Sequence, residues 1–389
     1  MVAPLTGRPA PLGEPLSFVL RALAPCLEGI THGGRRLCVR IAMRDSRSEP
    51  EAARQAVREL AEQDRVSLVL TMAGTQVLPA VTSVCEELGV PCVSATFPWQ
   101  AFGAARGGDP LVAFDWTYHF AWGLDGIAGV FADLWERLEG EAVVSCLGND
   151  GLQGRLSRDE QFGFAAAATR RGHRLIDPGG YREPAGDFTA HLQRIRGAGV
   201  DVVTSAATAA DLALFLRQAR ESGVRPQLMT CSRWLTYPHA AVAHSPEVRD
   251  ELTDMRVGTL VYWSPGHPYR SSHDGSSCKE LADAYQQATG KPWLQPPRPG
   301  SRPGRSRPPH AGHHGRPPPT GRPSPTPCPA PGWTPSSAPW IGLRPDPQHH
   351  PAAPRRGQWQ PGDDGPRLQV VTNSRVPDVP ATANLITAG

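Results

Sequence analysis

The side chains of this sequence best placed for chemistry are hydroxyls, amides and tryptophans; a nucleophile with its base is missing. Gly74-Thr75 follows the apolar run Ser67-Leu68-Val69-Leu70 and precedes a helical pattern from Val77 to Leu88. Pro79 delays the regular helix and leaves both residues in a loop. A hydroxyl and open amides there suit a carboxylate at a helix N-terminus; an ordinary Thr cap fits the pattern equally well. Ser94-Ala95-Thr96 ends the next apolar run, and Pro98-Trp99-Gln100 follows it. Trp99 is either a ligand wall or a cover for the loop. Asn149-Asp150-Gly151, Thr204-Ser205 and Ser232-Arg233-Trp234 end three later runs. Asp150 would meet an ammonium group, although a lone Asp after a strand is also a turn former. Trp116, Tyr118, Trp122, Tyr262 and Trp263 concentrate on two extended stretches; most pack there, and Trp263 joins the ligand-binding candidates.

Catalytic and cofactor motifs are absent. The chain has no GxGxxG, HExxH, CxxC or GxSxG, and Gly290-Lys291 runs into Pro292 where a phosphate loop needs Ser or Thr. His32-Gly33-Gly34 is a plain turn, and the pairs Asp45/Glu49 and Asp250/Glu251 are solvated carboxylates. No catalytic residue, metal or cofactor is therefore assigned. Of the eight cysteines, Cys85 and Cys92 come close enough in the pattern to bridge, or to stand as two buried thiols.

The elements that must position these residues alternate regularly. Strands read at Val39/Ile41/Met43, Ser67–Leu70, Cys92–Ser94, Ala142–Cys146, Val200–Ser205 and Gln227–Cys231. Between them, Ala53/Val57/Leu60/Ala61, Leu124/Ile127/Phe131/Leu134/Leu138, Phe188/Leu192/Ile195 and Leu212/Phe215/Leu216 mark helical faces. Such alternation predicts an α/β fold with parallel sheets covered on both faces. The longer interval from Ser94 to Ala142 holds the extended segment Phe114–Phe120, so we expect two doubly wound parallel-sheet lobes joined by hinge crossover segments. The expected boundaries are 1–115 with 265–296 for the first lobe, 116–256 for the second and 257–264 for a crossover. Residues 357–389 form a C-terminal return segment in which Leu368–Val371 reads as a strand. Ligands of such sheets bind beyond the strands' carboxyl ends, here between the lobes.

Charge and proline are unevenly spread. Residues 297–356 hold 19 of the 42 prolines, nine Arg, one Asp and no Lys or Glu, a net +8 that leaves −5 for the other 329 residues. The overall +3 is thus no sign of nucleic-acid binding. With one Leu, one Ile and no Val or Phe, this insert cannot offset the entropy of ordering its backbone, and we expect disorder. Its abrupt edges also fit two compensating frameshifts bracketing the segment. At the other end, Met1-Val2-Ala3 reads as a clipped first strand, with no basic-then-apolar secretory signal. No apolar run is long enough to span a membrane.

With these elements laid out, the chain resembles the type I periplasmic binding proteins, in the branched-chain amino-acid (Leu/Ile/Val-binding-like) branch of ABC-transporter solute receptors. The resemblance is carried by Pro4-Leu5-Thr6-Gly7, Arg44-Asp45-Ser46-Arg47-Ser48-Glu49-Pro50, Gly89-Val90-Pro91-Cys92-Val93-Ser94, Trp116–Phe120 and Trp263-Ser264-Pro265-Gly266-His267-Pro268. It runs from residue 3 to 296 and resumes near Gly357-Gln358-Trp359. It implies an extracytoplasmic, monomeric receptor that closes on a small solute and delivers it to a membrane permease. It further implies a carboxylate site at Thr75 and at Ser94 with Thr96, while the family's ammonium-binding acid has no match in the second lobe. The family's long first-lobe helix is replaced by the insert, which predicts exposed apolar sheet surface and poor stability. A doubly wound hydrolase or transferase, or the ligand-sensing domain of a regulator, would share the fold. The first needs a nucleophile–base pair and the second an output module, and neither is found.

Overall fold

The computed structural model describes residues 1–291 and 355–387, apart from 8, 28, 97, 106–113, 122, 232–250, 262, 272–273, 363–365, 373 and 375–378. Its first parallel sheet uses β1 (Val2–Ala3), β4 (Arg44–Asp45), β5 (Val69–Met72), β6 (Cys92–Ala95) and β7 (Thr117–Phe120), in the order β4-β1-β5-β6-β7. Between β1 and β4 lies a hairpin, β2 (Ile30–His32) and β3 (Arg35–Leu37). Its two-residue turn is Gly33-Gly34, both at positive φ as a type I′ turn demands.

Connection geometry assigns the faces. Only the step from β1 to β4 runs against the others, so right-handed crossovers put α1 (Gly13–Leu27) on one face. They put α2 (Pro50–Arg58), α3 (Leu78–Leu88) and α4 (Trp99–Ala105) on the other. The α2–α4 face buries Val69, Cys92, Val57, Leu60, Val81 and Phe102 in one core. The opposite residues of β5 and β6, Leu70, Met72, Val93 and Ala95, are only half-buried, and Leu68 beside them is 45% exposed. Cover on both faces, expected from sequence, is therefore met on one face here. Phe18 of α1 packs instead with Ala282 and Tyr285 of a C-terminal helix, Cys278–Thr289, in a small separate core.

The second sheet is covered on both faces. Its order is β14-β13-β12-β11-β10-β8-β9, from β8 (Val143–Leu147), β9 (Arg174–Ile176), β10 (Val202–Ser205), β11 (Leu228–Cys231), β12 (Val257–Val261), β13 (Arg355–Gln360) and β14 (Arg367–Thr372). β8 to β12 are parallel, and β13 and β14 add antiparallel. Val202 and Leu228 face α5 (Leu124–Trp135) and α7 (Phe164–Arg170), which follows the short α6 (Leu152–Ser157). Val203 and Met229 face α8 (Thr189–Gly197) and α9 (Ala209–Glu221). Every residue of β10, β11 and β12 is buried, as neighbouring parallel strands require.

Several expected boundaries move. Thr117–Phe120 is a strand of the first sheet, so the chain crosses between the sheets after residue 120 rather than 115. Val257–Val261, read as a crossover, is a buried strand of the second sheet. The return segment forms β13 and β14 of that same sheet, and β13 begins at Arg355, within the expected insert. The rest of the insert lies outside the described residues. The shared reason is that extended apolar or aromatic stretches, read as linkers, found ladder partners. Val39, Ile41 and Met43 did not: β1 offers two paired residues, which take Arg44 and Asp45 and leave Val39 41% exposed. Cys85 and Cys92 remain thiols in the first core, without the bridge that their spacing allowed.

Arg356 locks the return strands to α5. Its side chain, 2% exposed, pairs with Asp133, donates from Nε to the Val130 carbonyl at 3.1 Å and from Nη1 to Ser374 Oγ at 2.6 Å. Arg171 also pairs with Asp133. Removing one member of a buried ion pair strands the other, so Arg356→Met is expected to cost about 3 kcal/mol in urea unfolding. Arg58→Gln, which breaks the exposed pair with Glu87, should cost less than about 1 kcal/mol.

Candidate ligand-binding site between the lobes

The register of β5 and β6, with Met72 opposite Ala95, brings Gly74-Thr75 level with Thr96 at the carboxyl edge of the first sheet. A Cβ at Gly74 would meet nothing within 4 Å, so open space adjoins the loop. The Thr75 side chain is half-buried, before the regular start of α3 at Leu78. Thr96 holds φ at 123°, where a β-branched residue is strained. Its hydroxyl is buried without a hydrogen-bond partner among the described residues.

Ser94 turns the other way. Its Oγ lies 2.8 Å from Nδ1 of His119 on β7, and the imidazole stacks on Phe102 of α4 at 4.3 Å. Ala95, its neighbour, is half-buried and ends β6. Motif inspection missed His119, because its only sequence signal was a place in an aromatic extended run.

The edge formed by β1 and β4 is tied by Asp45, which was expected to be solvated. Asp45 Oδ1 accepts from the amides of Leu5 at 2.9 Å, Thr6 at 3.2 Å and Arg47 at 2.8 Å, and Oδ2 accepts from Thr6 Oγ1 at 2.6 Å. Partial burial alone would raise this carboxyl; the Thr6 hydroxyl and the three amides outweigh it and hold it below the usual range.

In the second sheet, Asn149 follows β8 but is occupied. Its Oδ1 accepts from the amides of Gly151 at 3.0 Å and Gly154 at 3.2 Å, and Nδ2 donates to Glu183 Oε2 at 2.6 Å. The side chain thus fixes the start of α6. Asp150 beside it is exposed. α6 packs on α4, and its Leu156 reaches the core of the first sheet, so the carboxyl edge of β8 faces the first lobe. Trp263 sits elsewhere, against the Phe18–Tyr285 core, and Ser232 lies outside the described residues.

Where the chain crosses from β7 to α5, Gln100 joins the lobes. This side chain is 3% exposed; its Nε2 donates to Asp125 Oδ1 at 2.7 Å and its Oε1 accepts from the Leu124 amide at 2.8 Å. Trp99 lies beside it and lines a cavity of about 500 Å³ with Gln100, Asp125, Gly126, Phe162 and Arg170. Among the described residues, Trp99 is the one sequence-assigned site residue on that cavity; Gly74, Thr75, Thr96 and Asp150 lie along the strand edges instead.

A family model for periplasmic binding proteins matches residues 1–298. The chain belongs to the periplasmic binding proteins. Similar solved structures include the leucine-binding protein LivK from Thermotoga maritima, 16% identical over 75% of each chain with a TM-score of 0.55. LivJ from Streptococcus pneumoniae in complex with isoleucine is 15% identical over 75% of this chain and 76% of that one, with a TM-score of 0.55. An ABC-transporter solute-binding protein from R. palustris in complex with benzoate is 16% identical over 75% and 73%, with a TM-score of 0.54. No curated protein sequence matches the chain. Family and solved relatives are solute-binding receptors rather than enzymes.

Asp45 gives the site a pH signature. A carboxyl whose folded pKa is depressed contributes stability above its unfolded pKa and loses it as pH falls through the folded value. Asp45→Asn should therefore lower the urea midpoint at pH 7, with the deficit shrinking at pH 3, in paired unfolding curves.

Proposed function

We propose that this protein is the extracytoplasmic receptor of an ABC importer, holding a small amino-acid-like or aromatic acid between its lobes for a membrane permease. The observation that carries this reading is the pair of strand edges with idle hydrogen-bonding groups, Thr75 and Thr96 on one lobe and exposed Asp150 on the other. Hydroxyls at the start of α3 suit a carboxylate, which the helix dipole also favours. Asp150 suits an ammonium or a hydroxyl of the same solute. The complexes of LivJ with isoleucine and of the R. palustris protein with benzoate support a carboxylate as the common element. Closure of the lobes would desolvate the solute and complete its contacts, and opening would release it to the permease.

Titration calorimetry of the full chain against the twenty amino acids and a benzoate series tests this. At least one solute should bind saturably and be recovered unchanged. Thr75→Ala should weaken it about tenfold, the loss of one hydrogen bond to a charged group. Absence of binding across both series, or chemical conversion of a bound solute, would overturn the reading.

A further inference from the structure

The cavity beside the crossover is built differently from the strand edges. One wall is the first lobe's Trp99 and Gln100; the others are Asp125, Gly126 and Gly129 of α5, Gln161 and Phe162 ahead of α7, and Arg170 and Arg171 at its end. Its volume of about 500 Å³ lies within the range of small-molecule sites. Arg171 is consumed by Asp133 and Glu136. Arg170 has no ion pair among the described residues, and its guanidinium is exposed at the cavity. Trp99 and Phe162 supply flat apolar surfaces.

Gly126 is the third residue of α5, within its first turn, and it lines the cavity. Close packing does not explain the glycine, because a Cβ at Gly126 would meet nothing within 4 Å. Open space therefore adjoins Gly126 in the cavity that Trp99 and Phe162 also line. At the neighbouring crossover residue the opposite holds: a Cβ on Gly123 would lie 2.7 Å from Trp99 Nε1 and 3.0 Å from Gln100 Nε2. That packing fixes the indole wall.

We propose that this crossover cavity is a second ligand site, separate from the strand edges, that takes a small planar aromatic carboxylate. The carboxylate pairs with Arg170, and the ring lies over Gly126 between Trp99 and Phe162. A guanidinium binds a planar carboxylate through two parallel N–H donors, and aromatic side chains in the lining favour a ring over an aliphatic chain. Since Trp99 and Gln100 belong to one lobe and the remaining walls to the other, an occupant would stiffen the crossover at which the lobes bend.

The test uses the full chain, benzoate as probe, and benzyl alcohol and isoleucine as comparisons. Benzoate should bind saturably and benzyl alcohol at least tenfold more weakly. Gly126→Leu puts a side chain into the space that a Cβ there would find open, and Leu has better helix propensity than Gly, so the variant should keep its melting temperature while abolishing benzoate binding at this site. Arg170→Gln should weaken benzoate ten- to a hundredfold and remove most of the salt dependence. Absence of saturable benzoate binding would overturn the assignment. So would benzoate binding that survives both Gly126→Leu and Arg170→Gln; if Thr75→Ala removes that binding, the strand-edge reading stands alone.

Discussion

One buried carboxamide holds the two halves of this molecule in relation to each other. Gln100 stands in the first turn of α4 in the first lobe, and its side chain satisfies both the Asp125 carboxylate and the Leu124 amide at the start of α5 in the second. A buried amide that loses its partner pays a full desolvation penalty, so this contact is hard to replace. Trp99 closes over the crossover at Gly123, and Leu156 of α6 reaches the first core from the other side. The direction in which the β8 edge faces the β6 edge, and the shape of the crossover cavity, both follow from that joint.

The two sheets solve the problem of covering a parallel ladder differently. In the second, Val202 and Val203, or Leu228 and Met229, are neighbours in sequence and enter opposite cores. Its far edge is completed by β13 and β14, and a basic side chain, Arg356, holds them by pairing inside the core. In the first, Val69 and Cys92 are buried while Leu70 and Val93 are half-buried. Apolar surface left on one side of a sheet weakens a fold whose net stability is only about 5–15 kcal/mol. The thinly covered face belongs to the lobe that carries Thr75 and Thr96.

Periodicity made most of the fold legible. Unbroken apolar runs located β5, β6, β8, β10 and β11, and the spacing in Leu124/Ile127/Phe131/Leu134 located the buried face of α5. Pairing was harder to read, because an extended stretch becomes a strand only where a partner stands beside it. Thr117–Phe120 and Val257–Val261 therefore looked like linkers, and Val39–Met43 looked like a strand. Arg355 and Arg356 were grouped with the proline-rich segment by composition, which carries no information about a buried counter-ion such as Asp133. At the candidate site, strand-end position singled out Thr75, Thr96 and Trp99. It could not find Gln100, His119 or Arg170, whose roles depend on partners or walls that the fold supplies from distant elements. Asn149 shows the converse: a polar residue at a strand end that is spent on fixing the next helix.

Closure on a solute is the central claim, and small-angle X-ray scattering of the full chain tests it most directly. The profile would be recorded with and without a saturating amount of the solute that calorimetry selects. The account predicts a smaller radius of gyration with solute bound, fitting the arrangement in which α6 packs on α4, and recovery of the solute unchanged. A radius that stays the same at saturation would contradict it.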